Sequence, residues 1–179
     1  MSITDGFAPG DDEKVVSILK KWIGGPIGDQ LFTQIAGMMP TSGVVMVIVY
    51  NPKDPEIIFV SRPSDDPLWK NKLNLPGKLF RNADFKRSDH TPLNGPLERI
   101  QKSEIVLEFP KPPEFTGICL NSDARGSWAV LVYKIELVDK SLYKGAGEWV
   151  KVSEVEKRPD LINTEINHIN VALNKVKYT

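Results

Sequence analysis

Cysteine occurs only at Cys119, so no disulfide can form within the chain and a packed core has to carry the fold. Cys119 lies in the apolar run Phe115 to Leu120 with no histidine nearby in sequence, and it reads as a small buried hydrophobe rather than a nucleophile. A reducing cytoplasm is the compartment this usage favours. Histidine is almost as scarce, with His90 and His168 the only two. Neither charge sign is in excess: 23 lysines and arginines balance 23 aspartates and glutamates, which leaves no electrostatic footprint for a DNA or RNA duplex. Such a balance still permits a small phosphorylated ligand. No apolar run approaches the roughly 20 residues that span a bilayer, so no membrane partner is expected. Met1 to Asp12 carries acids in place of a basic region with an apolar stretch behind it, which argues against a signal peptide.

What is present is ordinary globular composition, 41% apolar and 26% charged over 179 residues. A chain of this length hides roughly two-thirds of its unfolded surface on folding, enough for one sheet and a few helices. Asp11 or Asp12 caps a helix with Val15, Ile18, Leu19 and Trp22 at helical spacing, and Gly24 and Gly25 stop it. Asp29 to Ala36 reads as a second short helix. From Gly43 the period changes. Val44 to Tyr50 is a β-branched run, Asn51 to Asp54 a turn cluster, and Ile57 to Val60 the second arm of a hairpin.

A polar loop from Ser61 to Lys72, holding Trp69, leads to Leu75-Pro76-Gly77. Asn82 to Gly95 shows no periodicity and reads as a long loop. Pro96 suits the first position of a helix that Pro110 ends. Phe115 to Leu120, Trp128 to Val138 and Gly145 to Val152 read as strands, and Leu161 to Val176 as a closing helix with Ile162, Ile166, Ile169 and Leu173 on one stripe. Strands mixed with helices in this order predict an α/β (α+β) fold, a mixed sheet sandwiched between helices.

A hairpin ending at Arg62, a tryptophan-bearing loop, apolar-Pro-Gly, an acidic helix, further strands and Glu148-Trp149-Val150 before a last helix resemble the Nudix hydrolase family. The resemblance covers Gly43 to Leu173 and rests on order more than identity. It implies a Nudix-like domain over residues 43–179, preceded by a helical extension over 1–42. In that family a helix carries Arg-Glu-apolar-x-Glu-Glu-x-Gly, and its glutamates hold magnesium or a similar ion on a diphosphate. The metal neutralises the phosphates and lowers the pKa of the attacking water.

The box is eroded here. Lys78 replaces its second glycine, and two helix registers give opposite chemistry. In one, Ile100 takes the apolar position and Arg99, Lys102 and Ser103 take those of the glutamates, so Arg99 and Lys102 stand in for the metal's charge. In the other, Glu104 and Glu108 survive as the outer glutamates, with Ile105 apolar, Ser103 and Leu107 substituted, and Pro110 at the final glycine. A helix running to Pro110 would set Glu104 in the middle of a face shared by Leu97, Ile100 and Leu107. The first register therefore buries an unpaired carboxylate, and this penalty favours the second.

The expected site follows from the resemblance: Glu104 and Glu108 as catalytic and metal-holding groups for Mg²⁺ or Mn²⁺, with Arg62, Gly77, Lys78, Arg99 and Lys102 contacting the substrate. Asp84, Asp89 and Glu98 are candidate outer ligands or plain surface charges. Trp69 either stacks on a base or packs on the sheet, and His90 is a candidate acid or base without a named partner. His168, on the amphipathic last helix, reads as structural. Asp123-Ala124-Arg125-Gly126 is either a turn or a loop over the pocket. Two functions remain open. One is metal-assisted hydrolysis of a nucleoside diphosphate-linked substrate; the other is a non-catalytic Nudix-fold module binding a nucleotide-like ligand or a protein partner.

Overall fold

The computed structural model describes residues 14, 17, 41–66, 68–86, 88, 93–107, 111–123 and 126–174. The N-terminal helices apart from residues 14 and 17, His90, Asp89, Glu108 and the turn residues Ala124 and Arg125 lie outside this set, as does Pro110.

The β-branched run forms β1 (Thr41–Tyr50), whose residues 43 to 49 are all buried. Burial on both faces follows from its central place in the sheet. On one side it pairs in parallel with β6 (Gly126–Leu137), from Thr41 opposite Trp128 to Tyr50 opposite Leu137. Its other side is shared between two antiparallel partners. The second half pairs with β2 (Glu56–Ser61), Val49 opposite Ile57, and the first half with β4 (Gly77–Leu79), Val45 opposite Gly77. Asn51 makes the hairpin turn with φ 54°, a conformation asparagine tolerates. β3 (Leu73–Asn74) pairs with the end of β2, β5 (Glu114–Asp123) with β6, and β7 (Glu148–Lys151) with β2. The result is a seven-stranded mixed sheet.

Alternation along β1 divides the core into two. Val45, Val47 and Val49 pack with Phe59, Leu75, Val132 and Ile169 on one face. Val44, Met46 and Ile48 pack with Ile100, Ile105, Ile135 and Leu137 on the other. Four helices are described: α1 (Asn82–Phe85), α2 (Asn94–Ser103), α3 (Val152–Val155) and α4 (Glu165–Ala172). Ile100 of α2 and Ile169 of α4 thus cover opposite faces, the predicted sandwich.

Beyond the short strands β3 and β4 and the short helix α3, which were not expected, three elements differ from expectation. The loop after Asn82 contains α1. The last helix starts at Glu165 rather than Leu161, because Leu161 bridges to Leu73 and the Ile162 N–H donates to the Leu73 carbonyl at 3.0 Å. The third difference matters most for function. α2 ends at Ser103, with Glu104 as its C-cap, instead of continuing to Pro110. Residues 105–107 run irregularly onward with Ile105 and Leu107 buried and Val106 exposed, an extended in-out-in pattern. The Val106 carbonyl accepts from the Lys144 N–H at 2.9 Å, and the Leu107 carbonyl from Gln101 Nε2 at 3.0 Å. These bonds, one across the fold to Lys144 and one from Gln101 six residues upstream, replace the helical ladder.

Candidate functional site

A cavity of about 340 Å³ opens where β1 parts from β2 to take β4 as its neighbour, bounded on the far side by the start of α4. Val45, Leu75, Trp128 and Val130 give it apolar wall; Arg62, Lys78 and Arg81 bring positive charge, and Asn74, Asn121, Glu165 and His168 polar groups. Size and mixed lining suit a small ligand.

Gly77 is needed for close approach: a Cβ there would come within 3.1 Å of the Val44 carbonyl oxygen. Beside it lies Glu104. One carboxylate oxygen, Oε2, accepts from the Gly77 N–H at 2.7 Å, and Oε1 from Lys78 Nζ at 2.5 Å. Glu104 is therefore a strut between the end of α2 and β4. The sequence-level objection to burying it assumed no partner, and Lys78, 26 residues upstream, supplies one.

Arg99 does not reach into the cavity. It forms a two-pronged pair with Asp84, Nη1 to Oδ1 at 2.5 Å and Nη2 to Oδ2 at 2.8 Å, and Nη2 also donates to the Leu79 carbonyl. Asp84 is 3% exposed and sits against Gly95, where a Cβ would lie 2.0 Å from Oδ1. Burial pushes the Asp84 carboxyl up, but hydrogen bonds from Arg99 and the Arg81 N–H, with the charge of Arg99, hold it below its ordinary value. Asp84 thus ties α1 to α2, and its oxygens are committed. Lys102 is exposed and does not line the cavity. The cationic register keeps Ile100 at its buried apolar place, fully enclosed, while its two cations point elsewhere.

Arg62 does line the cavity, held from behind by Asp66, to which Nε donates at 2.8 Å and Nη2 also bonds. Burial raises the Asp66 carboxyl; the N–H groups of Trp69 and Leu68 together with Arg62 outweigh that and hold it low. Trp69 is not among the lining residues.

The opposite end was largely missed from sequence. His168 is buried and bonded at both ring nitrogens, Nδ1 to Glu165 Oε2 at 2.9 Å and Nε2 to Asn121 Nδ2 at 2.7 Å. With the amide donating to Nε2, the ring proton sits on Nδ1 and donates to Glu165. Asn121 Oδ1 accepts from Asn167 Nδ2 at 3.0 Å and from the Cys119 thiol at 3.4 Å. Burial pushes that thiol up, the mark of an unreactive cysteine. A signal was available: Glu165 and His168 fall on the same buried helix face as Ile169 and Ala172. Asn74, Asn121 and Arg81, brought in from separate strands and a loop, gave none.

The positive charge of Lys78 against Glu104 disfavours a divalent ion there, and the second expected ligand, Glu108, lies outside the described residues. A lysine ammonium and a backbone N–H occupy both of its oxygens, and among the described residues no three His, Cys, Asp or Glu side chains gather to hold a metal. No helix of the described residues is long and apolar enough to cross a membrane.

No protein-family model matches the sequence, and no curated protein matches it. Solved structures do. The Nudix domain of Shewanella oneidensis NrtR, complexed with ADP ribose, superposes with a TM-score of 0.58 at 18% identity, covering 78% of this chain and 90% of that one. The MutT protein of Methanosarcina mazei Go1 gives 0.56 at 13% identity, covering 77% and 96%. NrtR complexed with a 27mer DNA gives 0.56 at 19%, and this chain matches 60% of its length. The chain has the Nudix fold, in line with the order of elements read from sequence.

Proposed function

We propose that this protein is a non-catalytic Nudix-fold module that binds a nucleotide-like phosphate ester in the cavity beside Gly77 without a divalent ion. The observation that carries this reading is the carboxylate of Glu104, bonded to Lys78 Nζ and the Gly77 N–H. A positive charge already stands against that carboxylate. Lys78, Arg62 and Arg81 then supply the charge that phosphates need, and a bound water finds no cation to lower its pKa. The ADP ribose bound by the NrtR domain supports a ligand of this class, and the balanced charge of the chain supports a small molecule over a nucleic-acid duplex.

Titration calorimetry with ADP-ribose and ADP, in EDTA and in Mg²⁺ or Mn²⁺, tests it, with chromatography of the same mixtures for AMP release. Binding of equal strength with and without metal and no turnover are expected, and Lys78→Met should weaken binding about tenfold or more. Metal-dependent cleavage abolished by Glu104→Gln or Glu108→Gln would establish the hydrolase instead. Absence of any binding would remove both.

A further inference from the structure

The α4 end of the cavity holds a carboxylate that is spent on one side only. Glu165 is 7% exposed and lines the cavity. Its Oε2 accepts from His168 Nδ1 at 2.9 Å, and His168 is in turn fixed by Asn121, so the carboxylate is held in one orientation. Oε1 accepts no hydrogen bond from a described residue. It is not one of the side-chain atoms sealed from solvent without a partner, so it stays open. Because the rest of Glu165 is buried, the cavity is the space it opens to. The charge is unbalanced as well: with its proton on Nδ1 the imidazole is neutral, and no lysine or arginine among the described residues pairs with Glu165. A buried carboxylate without a cation gains strongly from a donor brought to it, since bonds to an ionised acceptor exceed those between neutral groups.

We infer that Glu165 reads the base of the bound nucleotide: Oε1 accepts from an N–H of the base, while Lys78, Arg62 and Arg81 hold the phosphates. The inference rests on the binding function proposed above and adds to it the residue and the chemical group that set ligand choice. Charge and distance carry it. A carboxylate repels phosphate, so the anionic end of the ligand lies elsewhere. Lys78 in β4 and Asn121 in β5 are separated by β1 and β6, three strand spacings or about 14 Å, and Glu165 sits with Asn121 through His168. In a nucleoside diphosphate the ribose adjoins the phosphates and the base stands beyond it, so the donors of the base are the ones that reach Glu165. A base that turns a carbonyl oxygen to Oε1 sets acceptor against acceptor and is rejected.

Titration calorimetry in EDTA, on the full chain and on Glu165→Gln, compares three ligands: ADP, inosine diphosphate, whose base has a carbonyl where adenine has an amino group, and inorganic diphosphate, which has no base. The wild type should bind ADP at least about 10-fold more tightly than either of the others. Glutamine keeps the bond to His168, because the Nδ1 proton demands its oxygen, and so turns an amide N–H to the cavity in place of Oε1. ADP should then weaken about 10-fold or more, inosine diphosphate should not weaken, and diphosphate, no longer repelled, should bind as well or better. Loss of a merely structural residue would weaken all three alike. A wild-type preference for inosine diphosphate that the substitution removes would place the ring N–H of that base on Glu165, again a base donor. Should the variant unfold, the carboxyl carbon resonance of wild-type Glu165 serves instead: ADP should shift it and diphosphate should not. Equal wild-type affinity for ADP and diphosphate, equal weakening of all three ligands, ADP affinity untouched by the substitution, or a resonance that ignores ADP would overturn the role of Glu165 and leave the binding function standing. If the wild type bound none of them, the binding function would fall and this inference with it.

Discussion

The two ends of the cavity treat their polar groups in opposite ways. At the α2 end, Glu104 is closed off by Lys78 and Gly77, and Asp84 by Arg99 and the Arg81 N–H, so the charges are matched within the protein. At the α4 end the Asn121–His168–Glu165 chain is bonded within itself, yet Glu165 Oε1 has no partner among the described residues. Matched carboxylates stiffen the scaffold, while the donors that Lys78 and Arg62 do not spend on them stay available to a phosphate.

The comparison is open to attack at each end. The largest effect should come from Arg99→Met, which strands the buried Asp84 carboxylate and should cost about 3 kcal/mol or more in urea unfolding. A loss near zero would mean that the pair is not structural. The same variant changes the acid limb. Because the Asp84 carboxyl is held below its ordinary value of 3.8, its contribution is complete above that pH and disappears as the pH falls through the lower folded value. Wild-type stability should therefore drop between about pH 5 and pH 2, and the drop should shrink in Arg99→Met. An unchanged acid limb would remove Asp84 as its source.

At the other end, His168→Leu breaks two bonds and strands Glu165 and Asn121. About 2 kcal/mol should be lost, with Cys119 becoming reactive to a thiol reagent that it resists in the wild type. Retained protection of Cys119 would show that the network does not hold this wall of the cavity. The smallest effect is expected far from both ends. Lys151→Ala removes an exposed pair with Asp54 and should leave the denaturation midpoint where it was. A clear shift there would show that the matched charges at α2 are not special.

The strands were legible because their signal is local. Val44 to Tyr50 alternates nothing and is β-branched at every position but Met46 and Tyr50, which is how a strand buried on both faces reads, and Asn51 to Asp54 marks its turn. The end of α2 was not. Leu97, Ile100 and Leu107 fit a helical stripe, and Ile105 with Leu107 fit an extended one equally well. Lys144, reached through the fold, and Gln101, six residues upstream, chose the extended one by bonding the carbonyls of Val106 and Leu107. The catalytic expectation depended on that helix, since Glu104 and Glu108 share a face only if it continues. Glu104 lies beside Gly77, its carboxylate bonded to the Gly77 N–H and to Lys78 Nζ.

The sequence by itself determined the main strands β1, β2, β5, β6 and β7 and the two larger helices, α2 and α4, because periodicity and turn chemistry are properties of neighbouring residues. Tertiary structure alone decided which charges meet. Lys78 with Glu104, Arg99 with Asp84, and Asn121 with His168 are separated by 26, 15 and 47 positions, and electrostatic pairing depends on distance in space, which chain order does not fix.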